Sequence, residues 1–481
     1  MKVLLQSFSF KRKTRWHNRG ILLLGAALLS SRDVAGAVDV KILQSDFFDD
    51  LDEVVREIAA YEPDLVAFSV FLWSVELTER LIAACSGLAR KPVILCGGAG
   101  LSGRELSFME NNPGVDVVVR GAGEAAFVEL VRHFAGRPGA RRLQDIAGHH
   151  YRLADNRIGR SADGAGRMPL WRIPSPYLTG LYRPGRDEYI AIETERYCPF
   201  RCSYCSWAQS RRKEPESRFQ LERVQAEIEW AARSGYRDID IIDAAINYDS
   251  ERFIRVLDIL DRHGKDFQTF FFFLKLDCMD ERQLARLRAF KKPACLFLGV
   301  ESFSPAALRL ARRPNSLSAL KPILDRLSRR SNLRIMAGLV LGLPGDDLKT
   351  FWNAVDFLYG YPKLHIRVSL LALPVGTEIR RNAEKFGILF RKTGIPYIVS
   401  SEAFPSGDMR QAQRRIGALC DREGRISLNT LQVPLRRISN PRVLPAALRA
   451  KTPSDRWVAA SILALGDGAA EVSGVHPGLS W

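Results

Sequence analysis

The sequence predicts an α/β chain of two parallel-sheet domains, a doubly wound sheet and then a partial barrel, followed by a small, mainly helical extension. Three observations carry this. Apolar runs of strand length alternate with helical stretches over residues 1–138, and again over 187–390. Several of the runs are continuously apolar, as in strands covered on both faces. Between the two series, 139–186 loses its periodicity and is rich in Gly, Arg and Pro ("SADGAGRMPLWRIPSPYLTG"), which predicts an extended connector.

In the first series "MKVLLQSF" reads as a strand, "ILLLGAALLSS" as a helix and "VDVKILQS" as a second strand. "LDEVVREIAAY" is an amphipathic helix with Leu51, Val54, Val55, Ile58 and Ala59 on one stripe. "DLVAFSVF" is a buried strand, "VELTERLIAACSGL" a helix and "KPVILCGGAG" a strand with a glycine turn. "VDVVVRGAGEAAFVELVRHF" is a last strand, turn and helix. Such alternation implies a doubly wound parallel sheet, which binds ligands beyond the carboxyl ends of its strands. Those ends are "SVFLWS" (Ser69–Ser74), "CGGAG" (Cys96–Gly100) and "RGAGE" (Arg120–Glu124).

The second series has six candidate strands: "EYIAIET", "DIDIIDA", "TFFFFLKL", "ACLFLGVES", "IMAGLVLGL" and "HIRVSLLAL". Helical stretches separate them, among them "LERVQAEIEWAARSG" and "SERFIRVLDILDRHG". Ser250 is the expected N-cap of the latter and Gly264 its stop. Six such units in about 200 residues suggest a partial barrel. Residues 391–481 are basic, with helical patches and prolines, and no fold follows from them.

Of the 481 residues, 46% are apolar and 26% charged, as in an ordinary globular protein. "GILLLGAALL" is too short to span a bilayer, and no small-x-small site follows directly after Leu29, so a cytoplasmic chain without a membrane partner is expected. The net charge of +17 suits either a solvated Arg-rich surface or an anionic partner. Dense Lys/Arg runs with interleaved aromatics are missing, so no specific nucleic-acid partner is expected. Cys85, Cys96, Cys278 and Cys295 sit in apolar contexts, and Cys420 closes an Arg-rich helical stretch. No disulfide framework is suggested, which fits a reducing compartment.

The other three cysteines, Cys198, Cys202 and Cys205, are spaced C-x3-C-x2-C directly after "EYIAIET". That places them at the carboxyl-end mouth of the barrel, where barrel active sites form. A structural zinc site needs four ligands. Three thiolates on a four-iron cube leave one iron open. A fourth zinc ligand would have to come from far along the chain, with His263 and Cys278 the nearest candidates, and no second CxxC exists.

With the aromatic Tyr204 ahead of the last cysteine, this motif resembles the signature of radical S-adenosylmethionine (SAM) enzymes. The resemblance implies a [4Fe-4S] cluster on the three cysteines, whose open iron chelates the amino and carboxylate groups of SAM, and a 5′-deoxyadenosyl radical made on reduction. "LGVES" (Leu298–Ser302) is similar to the family's ribose-binding strand, with Glu301 and Ser302 as implied contacts. "GLVLGLPGD" (Gly338–Asp346) resembles the strand and turn that support the adenine, with Gly338 and Gly342. "LPVGT" (Leu373–Thr377) resembles the closing strand motif. "IIDAAINYD" (Ile241–Asp249) stands where the family binds the SAM amino group, often with Gly-Gly-Glu, and here offers Asp243 and Asn247. One departure is Tyr197, which precedes the first cysteine where relatives usually have glycine.

The first domain resembles the Rossmann-like cobalamin-binding domain of the B12-dependent branch of that family. The resemblance implies cobalamin contacts from Ser69, Phe71, Trp73, Gly97, Gly98, Gly121 and Glu124. The D-x-H-x-x-G motif that supplies a cobalt ligand in B12 mutases is absent, as it is in relatives of this branch. No G-x-G-x-x-G follows the first strand, against a nicotinamide site. The implied activity is C-methylation of an unactivated carbon in a peptide or natural product. The implied partners are that small-molecule or peptide substrate and an external electron donor of flavodoxin or ferredoxin type. No catalytic residue beyond the cofactors is implied. "FFFFLKL" and the carboxyl-terminal extension would exclude water and shape the substrate site. A non-methylating B12 radical enzyme (cyclisation or oxidative rearrangement) and a non-catalytic cobalamin-binding protein are the alternatives.

Overall fold

The structure, a computed structural model, describes residues 1–9, 17–47, 49–163, 168–185, 188–209, 217–264, 267–313, 315, 317–392 and 394–429. The chain divides into two compact units, the first over Met1–Gly185 and the second from Arg186 onward.

The first unit is built on a seven-stranded sheet. Its strands are β1 (Lys2–Ser9), β2 (Asp39–Asp46), β3 (Leu65–Ser69), β4 (Val93–Gly97), β5 (Val117–Val119), β6 (His149–Arg152) and β7 (Ile158–Arg160), in the order β2-β1-β3-β4-β5-β6-β7. The first five are parallel. Reversal of strand order between β1 and β3 makes a topological switch point, where doubly wound sheets open a crevice. Val3, Leu4, Leu5 and Phe8 of β1 are fully buried because helices cover both faces. Helix Leu51–Tyr61 illustrates the local logic. The Asp50 carboxylate accepts from Asp52 N, Val54 and Ile58 point inward, and Glu62 ends the helix in a left-handed turn.

Two of the strands lie in the stretch expected to be an extended connector. β6 and β7 form an antiparallel hairpin and β6 pairs antiparallel with β5, so the sheet is mixed. The periodicity was unreadable because each strand has only three or four residues. Buried histidines stand in place of aliphatics, and the Ser161 hydroxyl donates to the His149 carbonyl at 2.9 Å.

The second unit holds a seven-stranded, all-parallel sheet. The strands are β8 (Ile190–Ile192), β9 (Asp238–Ile241), β10 (Thr269–Lys275), β11 (Ala294–Glu301), β12 (Leu333–Leu341) and β13 (Leu364–Leu370), paired in chain order. All six coincide with the expected runs. A two-stranded hairpin, β14 (Leu389–Phe390) and β15 (Ile398–Ser400), follows. After helix Ser406–Glu423 comes β16 (Ile426–Asn429), a seventh parallel strand that pairs with β13. β16 lies in the segment read from the sequence as helical patches without a fold, since "ISLN" carries no strand-length apolar run. Residues 430–481 of that segment lie outside the described residues.

Strand β10 shows why the sheet is buried on both faces. All seven of its residues are buried. Phe270 and Phe272 pack on Phe290, with Phe253 against Phe272. Phe271 and Phe273 turn the other way, to Tyr189, Cys295, Met336 and Phe297. Helix Ser250–His263 is capped one residue earlier than expected, because the Asp249 carboxylate accepts from Arg252 N, and it stops at Gly264 as expected.

Candidate cofactor-binding sites

The three cysteines occupy one loop beyond the carboxyl end of β8. Cys202 is buried and Cys198 and Cys205 are half-buried. Burial pushes Cys205 up to about 12, and the neighbouring thiols Cys202 and Cys198 push the same way. Burial also raises Cys198, with Cys202 adding to it. Left bare, Cys198 and Cys205 therefore hold their protons, and a bound metal would have to draw them off. Among the described residues, no three His, Cys, Asp or Glu side chains converge as one bound ion requires. A cube takes one thiolate at each of three corners, so its ligands stand further apart. Tyr197 has φ 74°, in the left-handed region that favours glycine, so its backbone keeps the turn that the family makes with glycine.

The loop is tied down by its neighbours. Ser203 N donates to Ala311 O, Ser203 Oγ donates to Leu310 O at 3.0 Å, and Ile379 N donates to Ser203 O. An Arg313 N–H reaches Cys202 Sγ at 3.7 Å, while its other terminal nitrogen bonds Gly299 O and pairs with Glu301 Oε1, both at 3.1 Å. Tyr204 is buried near the Glu301 carboxyl. Burial raises the Glu301 carboxyl, and Arg313 opposes the rise. Glu301 itself sits at φ 69°, at an irregularity in the β11–β12 register.

Other expected SAM residues serve the fold as they stand. Ser302 Oγ donates to Asp346 Oδ2 at 2.5 Å and accepts from Ser304 N, clasping the ends of β11 and β12. Asp243 accepts from Thr194 N at 2.7 Å, Thr194 Oγ1 at 2.5 Å and Glu195 N at 3.3 Å, joining β9 to the root of the cysteine loop. Burial, with Glu195 nearby, pushes its carboxyl up to about 8. The Asn247 side chain is spent on Lys275 N, Lys275 O and Gln283. Gly338 leaves room for the Phe297 ring, 2.7 Å from where a Cβ would stand, and Gly342 has φ 99°. Cys278, distant in sequence, has its thiol pushed up to about 11 by burial, with Asp277 adding to the rise. His263 instead pairs with Glu229 at 3.3 Å.

In the first unit the carboxyl ends of β2, β1 and β3 bring Gln44, Ser7 and Ser69 into one row, by register. Asn18, the N-cap of helix Arg19–Ser30, spans it. Its Nδ2 donates to Ser69 Oγ at 2.9 Å and its backbone N to Gln44 Oε1 at 2.6 Å. Ser7 Oγ and Gln44 Nε2 are buried with no hydrogen-bond partner among the described residues. Orphaned polar atoms at a switch point suit a polar cofactor tail. Gly98 has φ 111°, and a Cβ there would stand 2.6 Å from Val70 O, while Gly97 meets only Val119 at 3.7 Å. Phe71 stacks on Trp73 with ring centroids 5.2 Å apart. Trp73 and Glu124 are buried, and Gly121 (φ 70°) faces open space. Ser7, Gln44, Asn18 and Arg313 were not singled out from the sequence. The first two had a visible signal, polar residues inside the apolar runs "VLLQSFS" and "KILQS".

Comparison with known proteins finds a family match in each unit. The profile of the B12 binding domain matches residues 8–131, and that of the radical SAM superfamily matches residues 192–358. The cobalamin-dependent radical SAM methyltransferase TokK of Streptomyces tokunonensis is 32% identical over 207 residues, 40% of this chain and 29% of that protein. The 2-(S-pantetheinyl)-carbapenam-3-carboxylate methyltransferase of Streptantibioticus cattleyicolor is 33% identical over 203 residues, with the same shares. The chain thus spans less than a third of the length of these relatives. The radical SAM methyltransferase TsrM from Kitasatospora setae, solved with cobalamin and a [4Fe-4S] cluster, shares the fold. Its TM-score is 0.66 at 17% identity, over 90% of this chain and 93% of that one. With a B12-binding sheet in its first unit and a three-cysteine parallel barrel in its second, the chain belongs to the family of radical SAM enzymes that carry a B12-binding domain.

Proposed function

We propose that the protein is a cobalamin-dependent radical SAM methyltransferase acting on an unactivated carbon of a peptide or natural product. The observation that carries this is the cysteine loop at the carboxyl end of β8, in a chain whose other unit has the B12-binding sheet. When bound, the cluster and SAM supply a 5′-deoxyadenosyl radical and cobalamin carries the methyl group.

The chain's own residues hold and orient. Cys198, Cys202 and Cys205 would ligate the cluster. Glu301 and Tyr204 stand beside it to orient SAM, and Asp243 braces the loop from behind. Gly338 and Gly342 keep the β12 turn compact where the adenine would lie. Ser7, Gln44 and Ser69 would receive the polar tail of cobalamin, with Gly97, Gly98 and Gly121 shaping the turns around it. Phe271, Phe273 and Phe297 present a dry aromatic surface inside the second sheet, which would shield reactive species from water. An electron donor of flavodoxin or ferredoxin type would reduce the cluster. Free thiols throughout the described residues suit a reducing, cytoplasmic setting, and among those residues no helix is long and apolar enough to cross a membrane.

The test is anaerobic reconstitution of the full chain with iron, sulfide and hydroxocobalamin, followed by SAM and a reductant. The expected result is 5′-deoxyadenosine and S-adenosylhomocysteine, with the former lost in Cys202→Ala. A cluster-loaded protein that cleaves no SAM would overturn the radical reading. Deoxyadenosine without any methyl transfer to candidate substrates would overturn the methyltransferase reading alone.

A further inference from the structure

We propose that Arg313 is a positioning residue that sets the reduction potential of the cluster, through its N–H contact to the sulfur of Cys202. The inference rests on the reading that the three thiols hold a [4Fe-4S] cluster.

The guanidinium is held from three sides. It is nearly buried, with 13% of its side chain exposed. Gly299 clears its slot, since a Cβ at that position would overlap both the guanidinium and the Glu301 carboxylate. Glu301 reaches it from a backbone at φ 69°, a left-handed conformation that strains a non-glycine residue. The turn carrying Arg313 is pinned to the cysteine loop by the two hydrogen bonds from Ser203. A missing side chain, a strained backbone and a tethered turn all serve one outcome, a cation aimed at one ligand sulfur. Glu301 keeps that cation charged despite its burial.

Reducing the cluster adds a negative charge. A cation and an N–H donor at a ligand sulfur favour the more negative form, so they raise the potential. Arg313 and Glu301 are both nearly buried, so the effect is only weakly screened. Glu301 partly offsets it, which makes the Arg313–Glu301 pair a two-sided adjustment. "LGVES" then has a second task besides any contact with SAM.

The test is a potentiometric titration of the reconstituted full chain, following the reduced cluster by EPR, with iron and sulfide content and unfolding temperature as controls. Arg313→Gln is expected to lower the equilibrium constant for reduction at least tenfold, a fall of about 59 mV for one electron. Arg313→Lys keeps the charge but loses the fork, and is expected to fall between. Glu301→Gln leaves the cation less balanced and is expected to raise the potential. A cluster-loaded Arg313→Gln protein with the wild-type potential overturns the proposal. If that variant assembles no cluster, Glu301→Gln decides: a rise supports the proposal and an unchanged potential overturns it. Wild-type protein that takes up no iron sinks the cluster reading itself, and this inference with it.

Discussion

At the scale of single residues, two positions carry measurable strain. Asp346 is buried, accepts from Ser302 Oγ and Asp347 N, and has its carboxyl pushed up by burial from 3.8 to about 6. A raised carboxyl binds its proton more tightly in the folded state, so its contribution to stability falls as pH rises from about 4 to about 6. The displacement corresponds to roughly 3 kcal/mol. Urea unfolding of wild type and Asp346→Asn at pH 4 and pH 7 should therefore show their difference moving toward the variant by up to that amount, with no further change above pH 7. Tyr197 is the second. Asn tolerates its left-handed backbone and a β-branched residue does not. Tyr197→Asn should keep wild-type iron content after reconstitution. Tyr197→Val should lose about 1–2 kcal/mol and part of its iron. Equal behaviour of the two would mean that the backbone at 197 adapts.

At the scale of elements, long apolar strands were legible and short polar ones were not. β10 to β13 could be read from the sequence because each is a buried run of seven to nine residues. β6, β7 and β16 could not, because "HHYR", "IGR" and "ISLN" hold their places through pairing with strands already formed. The sites divide in the same way. The cysteine loop is contiguous and visible. Arg313 lies more than a hundred residues from Cys202, and only the turn after β11 brings the two together. Glycine was a partial guide: Gly98 and Gly299 both mark places where other protein atoms approach closely. The two faces of β10 make a separate prediction. Phe271→Ala removes a fully buried ring from the cluster with Tyr189, Cys295 and Met336 and should cost about 3–5 kcal/mol in chemical denaturation. A cost below 1 kcal/mol would mean that this face of the sheet is loosely packed.

At the scale of the whole molecule, each unit has its own sheet and its own buried core. Loss of one site should then leave the other intact. Replacing Cys198, Cys202 and Cys205 together by alanine is expected to abolish iron uptake while cobalamin binding, read from its visible absorption, keeps wild-type stoichiometry. Loss of cobalamin together with iron would show that the first unit depends on the cluster loop. The order of strands within the two sheets also bears on assembly. In the second sheet every strand from β8 to β13 lies beside the one made just before it, so pairing can advance with synthesis, one crossover at a time. In the first sheet β1 is the earliest strand made, yet it ends between β2 and β3 with apolar surface on both sides. Until about residue 69 leaves the ribosome, β1 lacks its β3 neighbour and keeps one edge open, and that interval is where a chaperone would be needed most.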